Sequence, residues 1–181
     1  MNKISNLIFH DKPHYVTQKF SSTHQATDYG TNRKKINQYA IEQGIVSYVG
    51  MDNYGSKFIK VKYPDINKEF LHGHLDKILV KKNESVNEST ILGTTGKTGR
   101  ATGIHLHLAI KDLNSNKYID PEEYSLIYKK ENIYYTVKKG DNLTKIAKQF
   151  NTTWQKLYEL NKETIGPDPN KIYPNQILLV K

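Results

Sequence analysis

The chain has 181 residues, no cysteine and a formal net charge of +9. Disulfides and thiolate metal sites are excluded, so any bound metal must rest on imidazole and carboxylate. Only two of the 27 cationic residues are arginines, Arg33 and Arg100, which argues against a protein that reads nucleic-acid bases through bidentate contacts.

Residues 1–14 read as an N-terminal arm. Its only apolar run is Leu7-Ile8-Phe9, against the roughly 7–15 apolar residues of a signal peptide and about 20 for a membrane span. The expectation is a soluble monomer made in the cytoplasm, with no membrane insertion and no nucleic-acid partner. His10 and His14 lie in the arm without partner spacing and receive no role.

From about residue 15 to 125 the chain is strand-like. Gly44–Val49, Lys57–Tyr63, Glu69–Leu75 and His105–Ile110 alternate or are β-branched, and turn chemistry such as Asp52-Asn53-Tyr54-Gly55 separates them. Short strands at this spacing predict an antiparallel all-β domain.

After Tyr124 the texture changes. Lys129-Lys130-Glu131-Asn132 is a polar linker, and Tyr134–Val137 reads as a strand. Gly140-Asp141-Asn142 is a turn able to cap a helix carrying Leu143, Ile146, Ala147 and Phe150 at helical spacing. Asn151-Thr152-Thr153 interrupts, a second helix presents Trp154, Leu157 and Tyr158, and a Gly/Pro loop leads to a closing strand at 176–180. The sum is a small β-α-α-β domain. Trp154, at helical spacing beside Leu157, is expected in its core.

Five of the seven histidines lie in three segments: His24-Gln25-Ala26-Thr27-Asp28, His72-Gly73-His74 and His105-Leu106-His107. Side chains at i and i+2 of a strand share a face, so His105 and His107 are expected to project together, as are His72 and His74. Leu106 and Leu108 then face the core. Either pair alone is weak evidence; together, beside a His-x-x-x-Asp, they suit a zinc that takes three protein ligands and keeps one position open for water.

These residues resemble the lysostaphin/LytM-type zinc endopeptidases. The resemblance runs from about residue 20 to 124, through His24-x-x-x-Asp28, Tyr54-Gly55, Gly73-His74-Leu75 and Gly96-x-Thr98-Gly99-x-x-Thr102-Gly103-x-His105-Leu106-His107. It implies one zinc per chain on His24, Asp28 and His107, with His105 and His74 as general base and transition-state stabiliser. His72 stands where the family usually has tyrosine, and is expected in the second layer around the metal or facing substrate. Ala26 stands where the family usually has glycine.

Segment 134–181 resembles a LysM domain through Tyr135-Thr136-Val137-Lys138-x-Gly140-Asp141-x-Leu143, Asn161 and Pro174-x-Gln176. That implies binding of N-acetylglucosamine-containing glycan, with Gly140, Asp141, Asn142, Leu143, Asn161, Ile172, Tyr173 and Pro174 as candidate contacts. The expected organisation is an endopeptidase domain over 1–126, a linker over 127–133 and a wall-binding domain over 134–181. The implied substrate is the peptide stem or cross-bridge of bacterial peptidoglycan, and the implied setting is a phage lysin released by lysis or carried in a virion. The alternative is a non-catalytic wall-binding or virion protein on the same fold.

Overall fold

A computed structural model describes residues 4–128, 133–150 and 152–180. The chain divides into two compact units, Met1–Tyr128 and Lys129–Lys181. Residues 129–132 of the expected linker, and Asn151, lie outside the described residues.

The first unit contains strands β1 (Tyr15–Gln18), β2 (Thr27–Gly30), β3 (Asn37–Tyr39), β4 (Gly44–Met51), β5 (Lys57–Tyr63), β6 (Lys68–Gly73), β7 (Lys77–Ile78), β8 (Ser85–Val86), β9 (Ile91–Thr94), β10 (His105–Asp112) and β11 (Tyr118–Ile119). One antiparallel sheet runs β1-β2-β10-β6-β5-β4-β8, with β11 also paired to β10, and a smaller sheet runs β3-β9-β7. The alternation of β10 explains its central place. Leu106, Leu108 and Ile110 are buried in the core on one face, while His105 and His107 stand on the other. Phe70, Ile59, Val61 and Val46 extend the same core across β6, β5 and β4.

The N-terminal arm is not an unattached extension. Ile4–Phe9 forms a helix, α1, whose Ile4, Ile8 and Phe9 are fully buried in the same core. Ile4 N donates to Ser125 Oγ at 3.1 Å, in a second helix, α2 (Pro121–Ile127). Asp120 caps α2 by accepting from Glu122 N at 2.9 Å, and Pro121 occupies the first turn, where its missing N–H costs nothing. Both helices span fewer than two full turns, too short for a helical period to stand out in sequence.

The second unit contains β12 (Tyr134–Thr136), α3 (Leu143–Gln149), α4 (Trp154–Leu160), α5 (Lys162–Ile165) and β13 (Ile177–Leu179). β12 and β13 pair antiparallel, so the expected order holds with one short helix added. Asn142 and Thr153 cap α3 and α4, accepting from Lys145 N at 2.9 Å and Lys156 N at 3.3 Å. Val137, Leu143, Ile146, Ala147, Leu157, Ile165, Leu178 and Val180 form a separate core.

Candidate metal centre

Asp28 is the hub of the site. It lies on β2, and its direct partner in the β2–β10 ladder is His107. Its Oδ1 is 2.8 Å from His107 Nδ1 and 3.4 Å from His24 Nε2, and its Oδ2 is 3.6 Å from His105 Nε2. His24 precedes β2 in a tight turn closed by paired backbone bonds with Ser21. Its Nδ1 lies 3.3 Å from the Lys19 carbonyl, which turns Nε2 towards Asp28. Ala26, between them, is fully buried and does not take a positive φ, so alanine fits where the family usually has glycine.

His24, Asp28 and His107 each offer a ligand atom, all within 4.8 Å of one another. Zinc at about 2.0–2.1 Å from tetrahedral nitrogen and oxygen donors holds those donors roughly 3.4 Å apart. The His24–Asp28 separation matches that value. The shorter His107–Asp28 contact is a hydrogen bond, in which a proton takes the place a cation would fill. The residues present therefore fit the metal that their donor chemistry implies.

Two further imidazoles flank this trio. The His74 ring centre is 4.8 Å from that of His105 and 5.5 Å from that of His107. His105 Nδ1 lies 2.9 Å from the Gly103 carbonyl. His74 Nδ1 lies 2.8 Å from the Thr98 carbonyl and 3.0 Å from Ser56 Oγ. A carbonyl only accepts, so each neutral ring carries its proton on Nδ1 and presents a bare Nε2. Ser56 and the Thr98 carbonyl are positioning partners that sequence reasoning missed, although Thr98 lies in the glycine-rich run and Ser56 follows Tyr54-Gly55.

His72 and His74 do not share a face. His72 is fully buried, opposite Leu108 and Ile59 in the ladders, with Nδ1 2.8 Å from Gln38 Oε1. The expectation that it faces substrate is corrected: it is a core residue. β6 ends at Gly73, and His74 takes a left-handed φ of 57°. That turn swings its ring to the side where His107 stands and breaks the i, i+2 rule. Gly73 lets β6 approach closely there: a Cβ would sit 3.2–3.3 Å from His107 Cβ and ring atoms, so the ring would have to shift to admit it.

Environment tunes these groups. Burial raises the Asp28 carboxyl, but the hydrogen bond from His107 and the facing imidazoles of His107, His105 and His24 outweigh it and leave the group below its ordinary range. Burial lowers His74, and His105 and His107 add to that against the opposing pull of the Thr98 carbonyl. Burial alone holds His72 down at about 3. These directions favour an ionised Asp28 carboxylate and a neutral His74.

In the second unit, a cavity of about 430 Å³ is lined by Asn142, Leu143, Thr144, Trp154, Pro169, Asn170 and Ile172. Three of the expected glycan contacts, Asn142, Leu143 and Ile172, are among them. Asn161 does not line the cavity: it is buried, its Nδ2 donates to the Leu157 and Leu179 carbonyls at 2.8 Å, and its Oδ1 accepts from Leu179 N at 2.7 Å. It fastens α4 to β13. Asp141 is likewise engaged, accepting from Tyr135 OH and Lys138 N. Gly140, Tyr173 and Pro174 do not line the cavity. Trp154, expected in the core, is 39% exposed and forms part of its wall. As the first residue of α4 it has no preceding turn to cover it.

A model of Peptidase family M23 matches residues 22–121. The chain belongs to Peptidase family M23. A LysM domain model matches residues 135–181. Two curated relatives from Vibrio cholerae are each named a peptidoglycan DD-endopeptidase. ShyB is 33% identical over 97 residues, covering 54% of this chain and 22% of the relative. ShyA is 29% identical over 115 residues, covering 61% and 26%. The chain thus spans about a quarter of the length of these relatives. Among solved structures, a zinc containing peptidase from Vibrio cholerae is similar at 27% identity with a TM-score of 0.56, over 62% of this chain and 37% of that one. The catalytic domain of lysostaphin from Staphylococcus simulans is similar at 25% identity with a TM-score of 0.54, over 65% of this chain and 95% of that domain. The M23 unit is thus mostly antiparallel sheet, and the smaller LysM unit combines helices with a strand pair.

Proposed function

We propose that this M23 chain is a zinc-dependent endopeptidase of bacterial peptidoglycan, held on the wall by its LysM domain. The observation that carries the reading is Asp28, facing His24, His107 and His105 at once. The names of the curated relatives support the substrate class, and the name of one structural neighbour supports the metal.

His24, Asp28 and His107 would hold the ion. Zinc, when bound, supplies Lewis acidity to a substrate carbonyl and to an attacking water. His105 takes the proton of that water through its bare Nε2 and returns it to the leaving amine as the C–N bond breaks. His74 has its Nδ1 committed to the Thr98 carbonyl, so it would stabilise the developing oxyanion as an imidazolium, its Nε2 taking a proton from solvent and giving it back when the oxyanion collapses. Asp28 remains ionised throughout, offsetting positive charge on the rings around it.

The LysM cavity, with Trp154 as an aromatic wall and the Asn142 and Asn170 amides beside it, suits a sugar ring that stacks and hydrogen-bonds. Tethering raises the local concentration of wall substrate for the M23 unit. Incubation with purified walls tests the reading: release of new amino groups that stops with a chelator and returns with zinc supports it. Wall binding without cleavage, with zinc present, would favour a non-catalytic wall protein.

A further inference from the structure

Tyr54 and Arg100 sit on two separate loops that both lean on His74. Ser56, two residues after Tyr54, places Oγ 3.0 Å from His74 Nδ1, and Thr98, two residues before Arg100, places its carbonyl 2.8 Å from the same nitrogen. The loops meet again at their tips, where the Arg100 guanidinium lies over the Tyr54 ring, 3.7 Å from its centre.

Both arms are braced. Asp52 Oδ1 accepts from Tyr54 N and Ser56 N, each at 2.9 Å. Lys57 N donates to Thr98 Oγ1, which in turn donates to the Leu75 carbonyl, both at 3.0 Å. Gly99 lies so close to Ser56 that a Cβ would fall 2.5 Å from the serine Cβ. Arg100 is therefore tied to His74 through two short, hydrogen-bonded spans.

Among the described residues Arg100 forms no ion pair. Asp52 Oδ1 is engaged by backbone, and Asp76 pairs with Lys35 at 2.8 Å. A guanidinium laid on a ring satisfies its face and leaves its N–H edges directed outward, a planar fork that matches a carboxylate.

We propose that Arg100, held flat by Tyr54, binds a carboxylate of the peptide substrate and selects acidic stem peptides over uncharged bridges. This rests on the endopeptidase reading and deepens it. The carboxylate could belong to the peptide C-terminus or to an acidic side chain, and amidation separates the two.

The test uses the zinc-loaded full chain and one stem peptide in three forms: both carboxylates free, the C-terminus amidated, or the side-chain acid amidated. Both kcat/KM and Kd are measured. The wild type should favour the free form over one of the amides by about five- to tenfold, as expected for a charge-assisted contact at a solvent-facing rim. Arg100→Ala should bring that ratio to about one, Arg100→Lys should keep part of it, and Tyr54→Ala should reduce it. Equal rates and affinities for all three forms in the wild type, or an unchanged ratio in Arg100→Ala, would overturn the proposal. An Arg100-dependent Kd ratio without cleavage would sink the endopeptidase reading and leave the carboxylate site standing. Cleavage without Arg100 dependence would do the reverse, and neither binding nor cleavage would remove both.

Discussion

Asp28 and His107 are 79 residues apart in the chain, yet they stand opposite each other in the β2–β10 ladder with Oδ1 and Nδ1 2.8 Å apart. The ladder sets the distance, so the pair is positioned by the backbone of two central strands instead of by loops. A site built on sheet holds its geometry better than one built on mobile segments.

On the proposed reading, His105 would move protons while His24, Asp28 and His107 would hold the ion. His105→Ala should keep stoichiometric zinc and lose roughly 10²–10⁴ in turnover. Elemental analysis and release of amino groups from walls check both halves. Turnover near that of the wild type would remove the general-base role.

Much of this was legible in the chain. β10 announced itself through alternation of Leu106 and Leu108 with His105 and His107, and the helices of the second unit through the spacing of Leu143, Ile146 and Ala147 and their Asn142 cap. What failed did so for local reasons. Period two predicts His72 beside His74, but a strand that ends at Gly73 and continues through a left-handed residue does not keep that period. The six residues of α1 carry too little periodic signal to mark a helix, and the spacing that predicts Trp154 in the core describes a helix interior and not its first turn.

His72 makes stability depend on pH. In the folded state burial holds it at about 3, whereas an unfolded histidine titrates near 6.5. Between those values the unfolded chain binds more protons, so stability rises with pH and falls on acidification, by about 1.4 kcal/mol per pH unit at most from this group. Denaturant titrations of the wild type and His72→Gln at pH 7, 6, 5 and 4 measure it. The substitution should flatten the slope, and parallel slopes would show that His72 titrates normally in the fold.

Gly99 combines a φ of +70° with close approach to Ser56. Gly99→Ala must strain the backbone or displace Ser56, at a cost of roughly 1–3 kcal/mol, and Ser56 helps aim His74. Expected is a lower melting temperature together with reduced kcat at unchanged zinc content. A variant indistinguishable from wild type in both would mean that the loop absorbs the methyl freely.

Trp154 and Asn161 separate binding from folding in the LysM unit. Trp154→Ala removes a cavity wall and should weaken retention on walls by about 1–2 kcal/mol, roughly tenfold, with the unit still folded. Asn161→Ala strands the Leu179 N–H and two carbonyls and should destabilise the unit by roughly 2–3 kcal/mol. Pull-down on walls and thermal unfolding by circular dichroism distinguish the two. Unfolding by Trp154→Ala, or a stable fold in Asn161→Ala, would exchange the roles assigned to them.

X-ray absorption at the zinc edge, on protein loaded with one equivalent, reads the donors themselves. Expected is a shell of two imidazoles and one carboxylate oxygen completed by solvent, at about 2.0–2.1 Å, with the carboxylate lost in Asp28→Ala and one imidazole lost in His107→Ala. A shell without imidazole, or one that neither substitution alters, would contradict a metal centre on His24, Asp28 and His107.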